Sequence, residues 1–288
     1  MIYLENDCIK AGFSSKGAEL QQLINIKNGE NYLWEGDTKF WGKFSPVLFP
    51  IVGSLKDDTY RYKDGSYKLS RHGFARDKEF SLEIQNSDEL LFVLSHSADT
   101  LVAYPFKFML GIRYKLDNTT LSCSYEVSNT DEKELLFSIG GHPAFAINTS
   151  NGCAYSDYYL QFDKDIMLNY HDIENDLISN NTYNIPLDGG KLALDHRLFY
   201  NDALVFKTLK SEKISLRNRK NSNRIDFEFK NFPYFGIWAA RDADFVCLEP
   251  WCGIADVVGH EQILENKEGI IKLASKQVFT RTWSVAII

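Results

Sequence analysis

Alternation of apolar and polar residues with a period of two is the feature that most constrains this chain. The segment "LSCSYEV" places Leu121, Cys123, Tyr125 and Val127 on one face of an extended backbone and polar residues on the other. The segment "RIDFEF" repeats the pattern, and "KISLRN" is a shorter instance. Such alternation is typical of β-strands that bury one face. The chain is therefore predicted to consist mainly of strands.

Turns and apolar runs extend this prediction to the whole chain. The fully apolar runs at residues 90–94 and 245–248 predict strands that are covered on both faces. Turn sequences are frequent, and "LDNTT" and "SNTDEK" bracket the strand predicted at residues 121–127. Only residues 97–105 predict a short helical turn, and no linker or internal repeat is found. We expect an all-β fold, a large antiparallel β-sandwich that forms one domain over residues 1–288.

Composition excludes several classes of partner. The chain has 288 residues, 44% of them hydrophobic, and a net charge of −7. No basic block stands out, so we expect neither nucleic acid nor an anionic membrane as a partner. We find no signal-peptide pattern and no run approaching the roughly 18 apolar residues of a membrane span. The odd cysteine count and irregular spacing predict free thiols in a reducing cytoplasm; these are Cys8, Cys123, Cys153, Cys247 and Cys252.

A histidine interrupts an apolar segment in "FSIGGHPAFAI". His142 follows Gly140 and Gly141 and precedes Pro143. The glycines allow unusual backbone conformations and clear space beside the chain, and the proline fixes the next φ angle. A histidine presented on so rigid a kink suits acid–base chemistry, whereas the alternative is a core histidine satisfied by one backbone hydrogen bond.

A second candidate site is the segment "SRHGFARD". His72 and Arg76 are expected to line one loop, and the alternative is a plain turn closed by an ion pair between Arg76 and Asp77. Arg71 precedes His72 on a strand-like segment, where neighbouring side chains point in opposite directions. We therefore expect Arg71 to face away from the site.

A third candidate is the segment "FVCLEPWCG". Glu249 is expected to end a buried strand, with Pro250 stopping the hydrogen-bond ladder. Partial burial at such a position raises the pKa of a carboxyl group and makes it a usable base. Trp251 supplies an aromatic face beside it. The alternative is a glutamate that is turned out to solvent.

The segment at residues 41–55, "WGKFSPVLFPIVGSL", is predicted to be a packed loop that forms one wall of a cleft or that serves packing alone. Lys43 is its only charge. A metal site is not expected, because His72, His142 and Glu249 are too far apart in sequence for a local ligand motif. A serine nucleophile is not expected either, because the chain lacks the GxSxG signature.

Four segments in this order resemble the aldose 1-epimerase (galactose mutarotase) family, and most of all its LacX-type branch: "SPVLFPIVGSL", "RHGFARD", "GGHPAF" and "VCLEPWCG". The resemblance extends over most of the chain. It implies a large antiparallel β-supersandwich in one domain. It also implies that the protein interconverts the α and β anomers of a small-molecule sugar, with no metal or other cofactor.

The resemblance implies roles for three residues by their place in these motifs. Glu249 matches the family's base, His142 matches its acid, and His72 matches a second histidine that holds the sugar. Anomer exchange needs a proton to leave the C1 hydroxyl while the ring oxygen gains one, so a carboxylate and a protonated imidazole suffice. Each group contributes roughly 10²–10⁴-fold to the rate.

Other family positions transfer less directly. The family arginine that holds sugar hydroxyls has no clear counterpart, and Lys43 or Arg76 is expected to take its place. The family aspartate falls in "FYNDALVF", on Asp202 or on Asn201. Four tryptophans are candidates to stack on the sugar: Trp34, Trp41, Trp238 and Trp251.

Three other functions stay open. A hexose-6-phosphate epimerase needs several cations at the cleft, whereas Lys43 is the one free cation expected there; we therefore expect free hexoses, galactose or glucose first. A non-catalytic sugar-binding protein would use the same scaffold without anomer exchange. A glycoside hydrolase or lyase needs two carboxylates at the bond, and the motifs nominate one. The oligomeric state stays unknown.

Overall fold

Strands account for most of the fold, as the period-two pattern predicts. The computed structural model describes residues 1–150 and 152–288. In this part of the chain there are 24 strands, numbered β1 to β24 in order: Ile2–Glu5, Ile9–Ser14, Glu19–Asn25, Val47–Leu48, Thr59–Tyr62, Gly65–Lys68, Ser81–Gln85, Glu89–Ser95, Phe108–Asp117, Thr120–Asn129, Leu135–Phe137, Ile139–Gly141, Ala144–Ala146, Tyr158–Phe162, Met167–Glu174, Leu177–Pro186, Lys191–Ala193, Leu204–Phe206, Lys213–Asn218, Arg224–Glu228, Tyr234–Trp238, Phe245–Cys252, Ile271–Leu273 and Val278–Ile287.

Helical structure is sparse in the same residues. The helix α1 spans Ala98–Ala103, inside the helical turn predicted at residues 97–105, and the Ser97 side chain accepts a hydrogen bond from the backbone N–H of Thr100 at its start. Short 3-10 turns complete the secondary structure: Lys56–Asp58, Ala75–Asp77, Tyr155–Asp157, His196–Phe199 and Leu264–Asn266.

One large sheet has nine antiparallel strands in the order β17-β14-β19-β20-β24-β10-β9-β8-β7. Strand β10 contains the predicted segment 121–127, and its residues alternate between buried and half-buried along the whole strand. "KISLRN" coincides with β19, and "RIDFEF" contains β20. The period-two alternation therefore identified three of these strands correctly.

The second large sheet has eight strands. Seven follow the order β16-β15-β18-β21-β22-β12-β4, and β13 also pairs with β22. Phe227 on β20 of the first sheet packs against Phe145 and Phe235 of the second, with ring centroids 5.6 and 6.3 Å away. One hydrophobic cluster contains residues of both sheets. The prediction of an all-β antiparallel sandwich is confirmed.

The two apolar runs behave differently. Strand β22 covers residues 245–248, and every one of its residues is buried. Strand β8 covers residues 90–94, but buried residues alternate with half-buried ones along it. The prediction that residues 90–94 are covered on both faces was wrong, because the nine-stranded sheet buries one face and leaves the other half-buried, as the interior strand β10 also shows.

Two further observations bear on the cysteines and on membranes. All five cysteines are free thiols, three of them buried and two half-buried. Among the described residues, no helix combines the length and the apolar character that a membrane crossing requires.

Candidate active site

Glu249 lies inside a strand, not at the end of one. Strand β22 continues past it to Cys252, and Pro250 pairs in register with Phe235 of β21. On the side away from β21, Pro250 faces the gap between β12 and β13, where none of the described strands pairs with it. The backbone N–H that proline lacks would therefore have no strand partner there, and the strand tolerates the proline. The prediction that Pro250 stops the ladder was wrong, and the strand fixes the glutamate from both directions.

The register of the sheet sets Glu249 opposite His142. Trp251 of β22 pairs with Gly140 of β12. In the same antiparallel register, Glu249, two residues before Trp251, lies opposite His142, two residues after Gly140. The pairing of β22 with β13 continues the same register on the other side of the break. The two side chains therefore share one face of the sheet, and His142 Nε2 lies 3.2 Å from Glu249 Oε2.

The glycines before His142 serve close packing. A Cβ atom on Gly140 would lie 2.7 Å from Cδ1 of Trp251, and one on Gly141 would lie 2.5 Å from the hydroxyl of Tyr125. Neither glycine has a left-handed φ angle. The prediction that they clear space is therefore correct, whereas the prediction of an unusual backbone conformation is not.

Two tryptophans hold the His142 ring. Trp41 stacks on it with ring centroids 4.9 Å apart and planes at 26°. Trp238 meets it edge-on, at 5.7 Å and 82°. Packing on two sides fixes the ring plane, so that Nε2 stays directed at the carboxyl group of Glu249.

Burial sets the protonation of this pair. Glu249 is 2% exposed and His142 is 8% exposed. Burial raises the pKa of Glu249 well above its usual value and lowers the pKa of His142. Both shifts disfavour the charged forms, so in the free protein the carboxyl group keeps its proton and the imidazole does not gain one. The pair therefore holds one proton over a wide pH range, and in the free protein that proton lies on Glu249 while His142 is neutral.

His72 occupies a strained turn above the pair. Its φ angle is +69°, in the left-handed region, and Gly73 follows at +70°. The backbone N–H of Gly53 donates to His72 Nδ1 at 3.1 Å. Burial lowers the pKa of His72 well below its usual value, so the ring is neutral. Because Nδ1 is an acceptor, Nε2 carries the proton and is available as a donor.

Arg71 lines the cavity, so the expectation that it faces away was wrong. Its Nε atom lies 3.3 Å from His72 Nε2, and its Nη1 atom lies 2.7 Å from Asp176 Oδ1. Its Nη2 atom lies 3.9 Å from Asp202 Oδ1. Side chains alternate only along an extended backbone, and the left-handed φ angle of His72 breaks that alternation.

The other predicted polar residues divide into two groups. Arg76 lines the cavity and donates from Nη2 to the backbone oxygen of Arg71 at 2.8 Å, and its Nε atom lies 3.7 Å from Asp77. Lys43 is not among the lining residues; its Nζ atom pairs with Asp77 at 3.3 Å. Lys43 is therefore not the free cation that the sequence predicted at the cleft.

Both candidates for the family aspartate position, Asp202 and Asn201, line the cavity. Asp202 directs its carboxylate towards Arg71 and also accepts the backbone N–H of Ala203 at 2.7 Å. A carboxylate is thus present at the site, next to Asn201.

Together these side chains surround a cavity of about 480 Å³, within the roughly 300–1,000 Å³ range of small-molecule sites. Trp41, Trp238 and Trp251 line it; Trp34 does not, and its Nε1–H donates to the backbone oxygen of Trp41. Four lining residues stand in the segment "FYNDALVF": Phe199, Tyr200, Ala203 and Val205. The sequence offered no motif for four others, which only the sheet order brings here: Ile173, Asp176, Ile178 and Ala255.

One group of metal-ligand type lies at the cavity floor in the described part of the chain. Ligand atoms of His142, Cys247 and Glu249 lie within 4.8 Å of one another. A thiolate is the form of cysteine that binds metals. Burial, and then the neighbouring Glu249, raise the pKa of Cys247 well above its usual value. The thiol therefore stays protonated at neutral pH and is a poor ligand.

The chain is similar to a known family over nearly its whole length. The family model described as aldose 1-epimerase matches residues 1–268. The chromosomal protein LacX of Lactococcus lactis subsp. lactis is 32% identical over 297 aligned positions, which cover 100% of this chain and 99% of that protein.

Solved structures agree with this match. The galactose mutarotase related enzyme of Lactobacillus acidophilus is 33% identical, with a TM-score of 0.96 over 100% of this chain and 97% of that one. A galactose mutarotase-like protein of Lactobacillus casei is 30% identical, with a TM-score of 0.93 over 100% of both chains. The resemblance predicted from the four motifs is confirmed, and this chain belongs to the aldose 1-epimerase family.

Proposed function

We propose that this protein is an aldose 1-epimerase that interconverts the α and β anomers of free hexoses, with galactose or glucose as the first candidates. The observation that carries the proposal is the pair of Glu249 and His142. Their reactive atoms lie 3.2 Å apart at the floor of a cavity, and both side chains are buried. The C1 hydroxyl and the ring oxygen of a pyranose are bonded to the same carbon, so two groups this close can reach both oxygens at once.

The reaction follows from where the protons move. Glu249 accepts the proton of the C1 hydroxyl while His142 gives a proton to the ring oxygen, and the bond from C1 to the ring oxygen breaks. The open chain is an aldehyde, whose C1 rotates about its bond to C2. Reclosure on the other face reverses both transfers: the C5 hydroxyl returns its proton to His142, and Glu249 returns its proton to the C1 oxygen. The net reaction moves no electron and consumes no co-substrate, so we propose that it needs neither a metal nor an organic cofactor.

The remaining lining residues suit a bound sugar. His72 Nε2–H and the guanidinium groups of Arg71 and Arg76 are donors, and Asp202 is an acceptor for hydroxyl groups. Trp251 contributes an aromatic face, and its Nε1–H has no partner among the described residues. An aromatic face next to polar groups is typical of sites that bind a ligand with both C–H and O–H surfaces.

Three broader statements belong to the same proposal. The partner is a small-molecule sugar, and the free thiols suit a cytoplasmic location. Residues 1–288 are proposed to form one domain, because one hydrophobic cluster contains residues of both large sheets.

The test is to follow the optical rotation of freshly dissolved α-glucose and α-galactose with pure protein, and to measure anomer exchange by NMR at equilibrium. An epimerase accelerates both processes in proportion to protein concentration. Line broadening of the sugar signals without faster exchange would instead establish a non-catalytic sugar-binding protein and overturn the proposal.

A further inference from the structure

A hairpin on the opposite wall of the cavity contacts Arg71. Strands β15 and β16 are joined by Asn175 and Asp176, whose φ angles are +52° and +65°. Asp176 Oδ1 lies 2.7 Å from Arg71 Nη1, although the two residues are 105 positions apart. This ion pair joins the two walls of the cavity.

Arg71 and His72 present two donors to the same place. Because Gly53 donates to His72 Nδ1, the other ring nitrogen, Nε2, carries a proton. Arg71 Nε–H is directed at that same Nε2 atom, 3.3 Å away, so neither group satisfies the other. An acceptor oxygen of the substrate placed between them would take both hydrogen bonds. Arg71 is therefore directed at the ligand as well as at its carboxylate partners.

The charge of Arg71 is already balanced. Asp176 contacts one terminal nitrogen of its guanidinium at 2.7 Å, and Asp202 lies 3.9 Å from the other. The Nε–H is the donor that faces no carboxylate, and it suits a neutral hydroxyl oxygen. A phosphate or carboxylate group binds best to two adjacent guanidinium N–H groups, and here it would also meet two carboxylates of like charge.

We propose that Asp176 is a specificity-determining residue, which acts by holding and neutralising Arg71 so that the cavity selects neutral sugars over sugars that carry a phosphate or a carboxylate. This inference rests on the proposed function, since it concerns the substrate class of the same site. Asp176 touches Arg71 and is a positioning residue, whereas Arg71 contacts the sugar.

The test compares a neutral sugar with its anionic analogues in the variant Asp176→Asn. Asparagine keeps the left-handed turn conformation and the size of the side chain and removes the charge. Exchange rates for glucose, glucose 6-phosphate and glucuronate are measured by NMR at low salt. The ratio of kcat/KM for each anion to that for glucose is expected to rise about threefold to fivefold, the range set by a half-exposed ion pair. A purely structural defect would lower all three rates and leave the ratio unchanged.

Two further variants distinguish an effect that acts through Arg71 from a general effect of removing one negative charge. Glu174→Gln removes the same charge from an exposed position on the same hairpin and is expected to leave the ratio unchanged. The double variant Arg71→Gln with Asp176→Asn is expected to lose the gain for anions. An equal rise in Glu174→Gln, or a gain that survives in the double variant, would overturn the inference.

Dissociation constants from ligand-observed NMR keep the two proposals distinguishable. If wild-type protein exchanges no sugar, the proposed function fails. The ratio of dissociation constants for glucuronate and glucose in wild type and in Asp176→Asn still decides the role of Asp176. An unchanged binding ratio contradicts it, and a ratio that shifts towards glucuronate supports it.

Discussion

Glu249 on β22 faces His142, which lies between β12 and β13, and their Oε2 and Nε2 atoms are 3.2 Å apart. The sheet register brings them together: Trp251 pairs with Gly140, and two residues along the same antiparallel register Glu249 lies opposite His142. Glu249 is held by the pairing of β22 with β21, and the backbone N–H of His142 donates to the backbone oxygen of Pro46 at 3.1 Å, so backbone hydrogen bonds fix both positions. The pair therefore holds one proton before substrate arrives, and the proposed chemistry begins once that proton has passed from Glu249 to His142 Nε2.

The first prediction concerns the base. Glu249→Gln keeps the shape of the side chain and removes its ability to accept a proton. Anomer exchange is expected to fall by roughly 10²–10⁴-fold, the usual contribution of a positioned base. The measurement is exchange of glucose by NMR, with circular dichroism to establish folding. Glu228→Gln, an exposed glutamate on β20, is the matched control and should keep the wild-type rate. A folded Glu249→Gln protein with an unchanged rate would remove Glu249 from the mechanism.

The second prediction concerns pH. Burial raises the pKa of Glu249 and lowers the pKa of His142, so the pair holds one proton between those two limits. Acid adds a second proton and removes the base, whereas alkali removes the shared proton and with it the acid. The pH profile of kcat/KM is therefore expected to be bell-shaped with a broad top, and to fall towards both extremes. In His142→Asn the residual rate should lose the alkaline limb. A wild-type rate that keeps rising through alkaline pH would contradict the shared proton.

Three residues of this cavity could be picked out from the sequence, whereas their arrangement could not. Glu249, His142 and His72 stand in short motifs, and the structure brings all three to one cavity. The sequence predicted the wrong side for Arg71, because the alternation of side chains assumes an extended backbone and the left-handed φ angle of His72 cannot be predicted from that pattern. Asp176 had no local signal at all, since its place depends on the pairing of β15 with β18 across the sheet.

The sequence predicted where strands lie, but not which of them are covered on both faces. The alternation in residues 121–127 records one buried face, which is a local property, and strand β10 was found. Whether a fully apolar run is covered on both faces depends on the sheet in which it lies. Residues 245–248 lie in the eight-stranded sheet, where β22 is buried on both faces, but residues 90–94 lie in the nine-stranded sheet, which buries one face only, even at the interior strand β10. Strand order is a long-range property that neither segment encodes by itself.

The third prediction concerns a buried ion pair behind the cavity wall. Lys267 Nζ lies 2.8 Å from Asp256 Oδ1, and both side chains are fully buried. The other carboxylate oxygen accepts the backbone N–H of Lys56, close to the Gly53 that contacts His72. Lys267→Met leaves the buried carboxylate without its lysine, and among the described residues the only basic side chain still within 4 Å is His260, whose Nδ1 lies 3.1 Å from Oδ2. The free energy of unfolding is expected to fall by about 3–5 kcal/mol, measured by urea denaturation.

The control for this change is an exposed ion pair. Lys276 and Glu132 are 2.7 Å apart but largely exposed, so Lys276→Met should change the free energy of unfolding by about 1 kcal/mol or less. Equal effects in Lys267→Met and Lys276→Met would mean that the buried pair contributes no more than a surface contact.

The last prediction concerns metals. His142, Cys247 and Glu249 offer three ligand atoms within 4.8 Å, so a metal-dependent reaction is a real alternative at this site. Two arguments oppose it. Burial and the neighbouring Glu249 raise the pKa of Cys247, which keeps the thiol protonated, and the proposed reaction consists of proton transfers alone. We expect the rate to survive dialysis against EDTA, with no stoichiometric metal by elemental analysis. Cys247→Ser, which keeps the size of the buried side chain but removes the soft ligand, should keep most of the activity. A bound metal whose removal abolishes exchange, and whose return restores it in wild type but not in Cys247→Ser, would replace the acid–base pair with a metal centre.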